Sequence, residues 1–556
     1  MRITSNTNEI NNNMKDIALL VLVAFLFTFC QADRPENKPE LRYTDNAKSW
    51  YNRKTGVTKY LIEIANGNPK AAIEHANKQG IDAEACFVKA LAFARMGNAD
   101  SAMANVHKSL NWGLSIDRYQ GPHEMLVSLN KLPQFKKFIK KNGTTIVHGP
   151  MIGHTTSSTA KIWLRTSHTS KAQIVLSENR SFDNEILTAE VQTSGDSEYT
   201  AKLDAKGLMA KTTYFYKVKI DGKIQDKVYE FTTQAVEGQP GETTVAFGGG
   251  AAYIPWHSYM WNTLKSHNLN AMLLLGDNVY IDYPENAEIQ RYCYFRRQSK
   301  PEFRDFSSGT PILSIWDDHD FGDNDEFGGK EIDSPKWKRP VFEVFRNQFA
   351  NPYYGGGDKN PGIWYDFQMA DIDFFMLDCR YYREPSSADG NIKDPQMLGP
   401  VQLKWLKEKL LASKGTFKVI VSSVPWAYGA KAGMAGRFDT WRGYKKERKE
   451  IFDFLAENKI EGVVLLSADR HRSDLWKIER ENGYPLYEME SSKLINTHTH
   501  DCMDDPERIL CYREKCSFGK LIFNTTSSDP TLRYEIWSID NEKVEAYTIK
   551  LSELKH

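Results

Sequence analysis

The sequence predicts a multidomain protein in which a helical segment and a β-sandwich precede a larger α/β domain. Three observations support this prediction. The chain has 556 residues, more than one ordinary domain uses. Its apolar residues change from a period of about 3.6 residues to a period of two near residue 144. After residue 241, short apolar runs alternate with helical stretches, a pattern typical of α/β domains.

The N-terminal 30 residues have the features of an export signal. Met14 and Lys15 precede the apolar run IALLVLVAFLFTFC, which is shorter than the roughly 20 residues that span a bilayer. The run ends at Cys30, which is similar to the acylated cysteine of a bacterial lipoprotein signal, although Phe29 stands where a small residue is usual. A cleaved signal peptide with an incidental cysteine is the alternative. We expect a protein of the bacterial periplasm or cell surface, a lipid anchor at Cys30, and a polar tether over residues 31–45.

Residues 46–143 form the predicted helical domain. Segments such as AEACFVKALAFARMGN and ADSAMANVHKSLNWG carry apolar residues at three- and four-residue spacing and end near a glycine. This small-residue-rich pair resembles a tetratricopeptide-type (TPR-like) helix hairpin, with one or two repeats. Hairpins of this type pack or bind partners, so a protein partner is one expectation for this domain. We predict that His107 and His123 are packing or surface residues.

Residues 144–236 are predicted to form an immunoglobulin- or fibronectin-like β-sandwich. Runs such as KAQIVLSE and TTYFYKVKIDG alternate apolar and polar residues, and the second contains a turn signal at Asp221 and Gly222. About seven short strands in about 90 residues are typical of such a sandwich. The domain would serve as a spacer or lid. We predict no ligand role for His148 or His154.

Charge and cysteine spacing exclude two classes of function. Lys and Arg number 72, as do Asp and Glu, so the basic surplus that meets a nucleic-acid backbone is missing. No pair of the seven cysteines has the CxxC spacing of a zinc site. In an oxidising compartment Cys502, Cys511 and Cys516 could supply one local disulfide, and free buried thiols are the alternative.

Polar residues able to bind metals follow three apolar runs of the α/β domain, residues 242–556. AMLLL, ILSIW and VVLLSA lead into GDNVY, DDHDFGDND and DRH. Because ligands bind at the carboxyl ends of strands in open α/β sheets, we expect these segments to converge. One aspartate after a strand often caps a helix instead. Three such ends with two histidines favour a site made of Asp277, Tyr280, Asp317, Asp318, His319, Asn324, Asp469, Arg470 and His471.

The stretch SIWDDHDFGDND, residues 314–325, crowds carboxylates that repel one another unless cations lie among them. Oxygen ligands suit Ca, Mg, Mn or ferric iron, and imidazole suits Zn, Fe or Mn. An EF-hand does not fit, because the loop lacks the Asp-x-Asp-x-Asp-Gly core and the glutamate at position 12. A solvated acidic loop is the alternative, but Trp316 and the apolar run before it indicate the end of a buried strand.

Five motifs occur in an order that resembles a known enzyme family. FGGGAAY, LLLGDNVYID, WDDHDFGDND, FDTWRGYKKER and LSADRH are similar to motifs of the alkaline phosphatase D (PhoD-like) metallophosphatases, within the metallophosphoesterase superfamily. The resemblance covers about residues 240–540. It implies an α/β metallophosphoesterase-like β-sandwich core flanked by helices, with another β-sandwich before it. It also implies two or more metal ions, whose identity stays open among Ca, Fe, Mn and Zn.

The resemblance also implies metal-binding roles for individual residues. Asp277 would bridge two metals, and Tyr280 would be a phenolate ligand. A second group of ligands would comprise Asp317 or Asp318 with Asn324 nearby, and Asp469 and His471 from the last strand.

Four further residues are predicted to surround the metals, and all but Arg470 are carried over from the family. His319 stands where a histidine assists the leaving group, and Arg470 is a candidate for binding phosphate oxygens, with a structural arginine as the alternative. Asp439 and Trp441 match a DxW element and would lie behind the ligands or line the pocket. They could equally be packing residues.

The turn FGGGAAY departs from the family pattern. Many relatives have a cysteine there as a soft iron ligand, whereas this chain has Gly248, Gly249 and Gly250. Either the metal differs, or the glycines let backbone or another group approach. Ser422 and Ser423 stand where ordinary metallophosphoesterases have a histidine, as expected for this family.

The predicted function is an exported phosphoesterase that hydrolyses phosphate mono- or diesters with a metal-bound hydroxide at a dinuclear site. Two metals would lower the pKa of a bridging water and hold the phosphoryl oxygens. Protonated His319 would donate to the leaving alkoxide, an effect typically worth roughly 10²–10⁴-fold. The missing cysteine favours an alternative, a catalytically inactive surface-anchored binding protein that uses the helical and sandwich domains. A metal-dependent amide hydrolase is disfavoured because HExxH is absent.

Overall fold

The computed structural model describes residues 56–79, 82–386, 392–430 and 439–556. The predicted signal sequence, its Cys30 and the tether lie outside these residues. Among the described helices there is none with the length and apolar character needed to cross a membrane.

The N-terminal domain is helical, as predicted. The N-cap of its third helix is Asp82, whose carboxylate accepts a hydrogen bond from the Ala85 N–H over 2.7 Å. Consecutive helices of the first four contact each other, as hairpins do. The TPR-like character of these hairpins stays a prediction. The helices are α1 (Gly56–Ala65), α2 (Pro69–Gln79), α3 (Ala83–Arg95), α4 (Ala99–Asn111), α5 (Val127–Asn130) and α6 (Pro133–Asn142).

Two antiparallel sheets follow and share an apolar core. One has the order β1-β2-β6, and in the other β4, β3, β7 and β8 are consecutive neighbours, with β5 added to β3 and β9 to β7. The assignment of this two-sheet domain to the immunoglobulin or fibronectin type stays a prediction. The strands are β1 (Ile146–Thr155), β2 (Thr159–Thr166), β3 (Lys171–Ser177), β4 (Ile186–Leu187), β5 (Val191–Gln192), β6 (Thr200–Lys206), β7 (Thr213–Ile220), β8 (Lys223–Ile224) and β9 (Tyr229–Thr232).

The C-terminal domain contains two facing mixed sheets. Their orders are β12-β11-β10-β20-β21-β22 and β13-β14-β15-β16-β18-β17-β19, and β18 contacts β10 and β20 across the interface. The strands are β10 (Glu242–Gly248), β11 (Ala271–Leu275), β12 (Ile312–Ile315), β13 (Tyr365–Met369), β14 (Ile372–Met376), β15 (Phe417–Val421), β16 (Val463–Ser467), β17 (Ser473–Ile478), β18 (Leu486–Ser491), β19 (Arg508–Tyr512), β20 (Ser517–Asn524), β21 (Thr531–Ser538) and β22 (Lys543–Lys550).

Helices accompany these sheets, which is the layered arrangement that the sequence predicts. They are α7 (Met260–Lys265), α8 (Ala287–Gln298), α9 (Pro301–Ser307), α10 (Asp318–Phe321), α11 (Lys338–Gln348), α12 (Gly399–Ala412) and α13 (Lys445–Glu457). All residues of β11, β12 and β16 are buried, which explains their uninterrupted apolar sequences.

The three predicted strand ends come from two sheets and not from one. β10, β11 and β12 are parallel neighbours in the six-stranded sheet, whereas β16 lies in the seven-stranded sheet between β15 and β18. The rule for a single open sheet therefore does not describe this site. Its residues converge because the two sheets face each other with these carboxyl ends at a common edge.

A buried polar network attaches the N-terminal sandwich to the C-terminal domain. Arg165 donates to Glu198 of the same sandwich and to Gln298 and Gln348 of the C-terminal domain, over 2.8–3.0 Å. His148 hydrogen-bonds Arg165 and the Ser299 hydroxyl. Because breaking such a network would leave buried polar groups without partners, it stabilises the contact between the two domains. The role of the sandwich as a spacer or lid stays a prediction.

Candidate metal centre

Loops at the ends of β11, β12 and β16 bring the predicted metal ligands together. The ligand atoms of Asp277, Asp318 and His319 lie within 4.8 Å of one another. Those of Asp317, Asp318 and Asp469 form a second group of the same size. Asp318 belongs to both groups, so the two groups adjoin. The structure thus places the predicted ligands Asp277, Asp317, Asp318 and Asp469 in one acidic cluster, with His319 beside it.

Three of these side chains present buried atoms without a hydrogen-bond partner among the described residues. They are Oδ1 of Asp277, Oδ2 of Asp317 and Nδ1 of His471, on side chains that are 1–4% exposed. Burial raises the pKa of Asp277 well above its usual range and that of Asp317 to about 8. Buried polar atoms are normally satisfied, and carboxylate oxygens and imidazole nitrogens are metal ligands. A bound cation would supply the missing partner and offset the cost of burial.

The backbone is strained where these ligands are placed. Asp277, Asp469 and His471 have φ angles of +50°, +74° and +52°, in the left-handed region. Residues other than glycine adopt this region rarely, and such strain is concentrated at functional sites. Before Asp277, Gly276 has a φ of +105°, and a Cβ there would lie 2.4 Å from the Cβ of Asp317. Only glycine allows the two aspartate loops to approach this closely.

The glycine turn after β10 lies directly against the site. The Gly250 N–H donates to the Gly276 carbonyl over 3.3 Å, and the Ala251 N–H donates to the Asp277 carbonyl over 2.8 Å. A Cβ on Gly250 would lie 3.3 Å from Nδ1 of His471. The glycine turn thus packs closely against two ligand-bearing loops, and both alternatives for the missing cysteine stay predictions.

Arg380 organises the acidic cluster from behind. Its Nε donates to Oδ1 of Asp317 over 2.6 Å, and the Ser423 hydroxyl donates to the same oxygen over 2.7 Å. Its two terminal nitrogens donate to Asp439, over 2.8 and 3.1 Å. Arg383 also contacts Asp439, at 2.7 Å. Asp439 thus lies behind Asp317 and acts on it through Arg380.

Trp441, the other residue of the DxW element, is buried. Its indole N–H donates to the Ser422 hydroxyl over 3.0 Å, and its ring stacks on Trp426 at a centroid distance of 4.0 Å. It is fully buried against these groups, which is the packing alternative for this residue.

His319 is surrounded by carboxylates. Its Nδ1 lies 2.6 Å from Oδ1 of Asp282, and its Nε2 lies 3.9 Å from Oδ2 of Asp318. Burial by itself would lower the pKa of His319, but Asp318, Asp277 and Asp282 outweigh it and raise that pKa to about 10. The imidazole is therefore held in the protonated form, which can donate a proton. Asp282 has no place in the sequence prediction, although it lies within the quoted motif LLLGDNVYID.

Tyr280 contacts Asp277 and a residue from a distant loop. Its hydroxyl donates to Oδ2 of Asp277 over 2.9 Å and accepts from the Asn496 side-chain amide over 2.6 Å. Burial raises the pKa of Tyr280 well above its usual range, so the phenol keeps its proton in the absence of a cation. Asn496 follows β18 by five residues, and no local sequence signal identifies it.

The remaining predicted residues, Asn324 and Arg470, occupy different positions. Asn324 is exposed in the loop after α10, where the Asp325 N–H donates to Oδ2 of Asp318 over 2.7 Å. The ligand role of Asn324 stays a prediction. Arg470 is buried and donates to Oδ2 of Asp469 over 2.7 Å, while its Nε has no partner among the described residues. Its role in binding phosphate also stays a prediction.

Asp320 holds the β11 and β12 loops together. Its two carboxylate oxygens accept hydrogen bonds from the N–H groups of Asn278, Val279 and Asp317 and from the Tyr294 hydroxyl, over 3.1–3.2 Å. Burial raises the pKa of Asp320 to about 6. One aspartate of the crowded stretch is therefore a structural residue and not a ligand.

A histidine cluster that the sequence analysis did not identify lies beside the site. The ring of His471 lies 5.1 Å from that of His498 and 5.9 Å from that of His500. A disulfide between Cys502, which follows these histidines, and Cys511 in β19 is one of the predicted pairings, whereas Cys516 is a buried free thiol.

Comparison with known proteins identifies two segments of the chain. Residues 246–496 match the PhoD-like phosphatase family, and residues 143–235 match a domain of unknown function (DUF7800). Alkaline phosphatase D of Bacillus subtilis (strain 168) is 22% identical in an alignment of 340 residues that covers 53% of this chain and 56% of that protein. The chain thus spans about half the length of this curated relative.

Two solved structures show the same fold. The structure of PhoD has a TM-score of 0.58 at 16% identity and covers 72% of this chain and 92% of its own. Purple acid phosphatase PPD1 from yellow lupin (Lupinus luteus) has a TM-score of 0.53 at 12% identity and covers 73% and 75%. The two-sheet domain and the motifs within residues 246–496 agree with this match: this part of the chain is similar to the PhoD-like phosphatases.

Proposed function

We propose that this protein is an exported phosphoesterase that hydrolyses phosphate mono- or diesters at a dinuclear metal centre. One observation carries the proposal. Buried ligand atoms on Asp277, Asp317 and His471, which have no hydrogen-bond partner among the described residues, converge from three strand ends. A site for an uncharged ligand would not need these unsatisfied carboxylate oxygens. The match of residues 246–496 to the PhoD-like phosphatase family supports the same chemistry.

The donor atoms fit metal ions that prefer oxygen with some nitrogen. Carboxylates dominate the site, with one imidazole and one phenol, and a glycine turn, Gly248 to Gly250, stands where many relatives have a soft thiolate. The residues that would hold the ions are Asp277, Tyr280, Asp317, Asp318, Asp469 and His471, with Asn324 as a further candidate. When bound, such ions lower the pKa of a water molecule and neutralise phosphoryl oxygens.

His319 is the proton donor for the leaving group. Asp282 holds Nδ1 of the ring, which leaves Nε2 on the side of Asp318 and the ligand cluster. The carboxylates of Asp318, Asp277 and Asp282 raise the pKa of His319, which favours the protonated ring. A leaving alkoxide is a strong base, so proton donation is worth roughly 10²–10⁴-fold.

Arg470 is the candidate group for the phosphoryl oxygens. Asp469 holds one end of its guanidinium, and its remaining N–H groups offer hydrogen bonds of the kind that bind phosphate. Arg380 is not available for this role, because Asp317 and Asp439 occupy it.

Hydrolysis assays test the proposal directly. Protein expressed from residue 31 is assayed with para-nitrophenyl phosphate and with its bis-ester, before and after chelation. Ca, Fe, Mn and Zn are then added back singly and in pairs. We expect turnover that a chelator abolishes and that particular metals restore. If no metal produces turnover, the binding-protein alternative, based on the helical and sandwich domains, replaces this proposal.

Export and lipid anchoring are a separate part of the proposal. The Cys502–Cys511 disulfide suits an oxidising compartment, in agreement with the N-terminal signal. Fractionation of cells that express the full chain or its Cys30→Ser variant tests both features. We expect the full chain in the membrane fraction and the variant outside it. Recovery of both in the cytosol would refute export.

A further inference from the structure

A group of buried and half-buried charges lies where the helical domain meets α8, apart from the metal centre. This junction cluster consists of Glu84, Arg118 and Arg296, which are buried, and Lys300 and Glu302, which are half-buried. Both oxygens of Glu84 accept hydrogen bonds from Arg118, over 2.6 and 2.9 Å, and one also accepts from the Tyr292 hydroxyl over 2.9 Å. Glu84 and Arg118 therefore balance each other in charge, although Nε of Arg118 has no hydrogen-bond partner among the described residues.

Arg296 has no such partner. It is 9% exposed, and it makes no hydrogen bond or ion pair with any residue in the described part of the chain. Its guanidinium carbon lies 4.3 Å from the ring centroid of Tyr253 and 5.2 Å from that of Tyr292. Contacts of this kind return about 0.5–2 kcal/mol, whereas taking an ion out of water costs several kcal/mol. The rings alone do not compensate the burial of this charge.

Lys300 faces the same aromatic ring. Its Nζ lies 5.2 Å from the centroid of Tyr253. Burial lowers the pKa of Lys300 to about 8, although the charges of Glu302 and Glu84 oppose that shift. If Glu302 is matched with Lys300 and Glu84 with Arg118, the charge of Arg296 remains in excess.

The junction cluster is connected to the metal centre by short paths. Tyr253 follows the glycine turn, in which the Ala251 N–H donates to the Asp277 carbonyl. In α8, the Cys293 thiol donates to the Tyr280 carbonyl over 3.4 Å, and Arg296 is the next residue on that face of the helix. Tyr253 thus lies two residues after Ala251, and Arg296 lies three residues after Cys293. Both Ala251 and Cys293 hydrogen-bond the loop that carries Asp277 and Tyr280.

We propose that Arg296, with Lys300 and Tyr253, forms a subsite for a second anionic group, a phosphate or a carboxylate. Guanidinium groups bind such anions through paired hydrogen bonds, and the flanking ammonium adds charge. The group belongs either to the leaving part of the substrate or to a separate small anion. Only the first source depends on the proposed phosphoesterase function.

Binding of inorganic phosphate tests the subsite without turnover. Equilibrium dialysis with labelled phosphate is performed on the protein expressed from residue 31, before and after chelation. In the chelated protein, phosphate cannot bind to metal ions. We expect phosphate binding to persist in the chelated protein and to weaken by at least about tenfold in Arg296→Gln, the effect of one charge-assisted hydrogen bond. Chelated wild type that binds no phosphate, or equal binding by the variant, would overturn the proposal.

The neighbouring arginine supplies a matched control. Arg297 has the same charge and similar burial but lies over Trp261 and Phe303 instead of Tyr253. Arg297→Gln is therefore expected to bind phosphate as the wild type does. If Arg296→Gln has a lowered melting temperature, Lys300→Gln takes its place, since Lys300 is less buried. Equal loss in Arg297→Gln and Arg296→Gln would refute a specific subsite.

Kinetics distinguish the two sources of the anion. Values of kcat/KM are compared for para-nitrophenyl phosphate and for a monoester whose leaving alcohol carries a second phosphate. If the anion is part of the substrate, Arg296→Gln lowers kcat/KM about tenfold for the second substrate only. If Arg296→Gln loses binding of free phosphate but keeps the wild-type ratio of the two kcat/KM values, the subsite serves a separate anion.

Discussion

Arg380 and Asp317 form a fully buried ion pair in which Nε lies 2.6 Å from Oδ1. The same guanidinium binds both oxygens of Asp439 and lies 3.9 Å from Asp318. It neutralises part of the aspartate cluster, and Oδ2 of Asp317 has no hydrogen-bond partner among the described residues. Cations of the chain itself, Arg380 and His319, thus offset part of the crowded negative charge, with metal ions as the proposed remainder.

The Arg380→Gln substitution is expected to destabilise the protein by about 3–5 kcal/mol, because it leaves buried carboxylates without their cation. The double variant Arg380→Gln/Asp439→Asn should lose less free energy of unfolding than the two single variants lose in sum. Urea unfolding of the four proteins measures this coupling. Additive losses would mean that Asp439 does not act through Arg380.

An exposed arginine provides the comparison for Arg380. Arg339 lies 2.6 Å from Asp333 on the surface, where the two side chains are 31% and 67% exposed. Surface pairs contribute about 0–1 kcal/mol, so Arg339→Gln should change the free energy of unfolding by no more than that. A loss equal to that of Arg380→Gln would show a general effect of charge removal.

The Asp277→Asn substitution is expected to abolish metal binding and phosphoesterase activity while the protein stays folded. Without metal, burial of the Asp277 carboxylate is unfavourable, so the metal-free variant should melt above the metal-free wild type. Metal analysis, hydrolysis assays and thermal unfolding measure the three properties. Asp204→Asn, which removes a half-exposed carboxylate paired with Lys161, is the control and should retain metal and activity. Retained turnover in Asp277→Asn would refute the proposed site.

His319→Asn should reduce kcat according to the leaving group. For alkyl phosphates we expect a loss of roughly 10²–10⁴-fold, because the alkoxide needs a proton. For para-nitrophenyl phosphate the loss should be much smaller, because nitrophenolate leaves without one. Rates with a series of leaving groups measure the difference. A uniform loss across the series would assign His319 to positioning instead of proton donation.

Asp282→Asn tests the pH dependence of the same step. Asp282 is one of the carboxylates that raise the pKa of His319, so its removal lowers that pKa. The alkaline limit of kcat, where His319 loses its proton, should therefore move to lower pH. An unchanged pH profile would indicate that the carboxylate does not control the protonation of His319.

Glu447 is expected to make stability depend on pH. Burial raises its pKa from 4.5 to about 7, opposed by hydrogen bonds from the Met397 and Leu398 N–H groups. The folded state binds this proton more tightly than the unfolded state, so its contribution is complete below pH 4.5 and is lost as pH rises towards 7. The loss amounts to at most about 3 kcal/mol.

The Glu447→Gln variant should lack this dependence. The free energy of unfolding is measured with urea at pH 5 and at pH 8. Between these two pH values, the stability of the variant should rise relative to that of the wild type. Glu450→Gln, on the exposed side of the same helix, should keep the wild-type dependence. If Glu447→Gln and wild type differ in free energy of unfolding by the same amount at both pH values, the titration of Glu447 does not control stability.

Local patterns in the sequence identified much of this structure. The apolar runs before Asp277, Asp317 and Asp469 are strands, as predicted, because a strand buried on both faces needs continuous apolar residues. β17 and β18 were not predicted. They contain buried charged residues such as Asp474 and Glu488, which interrupt the apolar pattern.

By itself, the sequence determined the order of domains, the principal strands and the ligand-bearing loops, because periodicity and strand ends are properties of contiguous residues. Only the tertiary structure decided which residues surround those ligands. Arg380, Asn496 and Arg296 carry no local signal, and each acquires its role from a partner far away in the chain. The stacking of two sheets brings the first two to the ligands, and the contact of α8 with the helical domain buries the third. The physical reason is that burial and charge compensation depend on distance in space, which separation along the chain does not report.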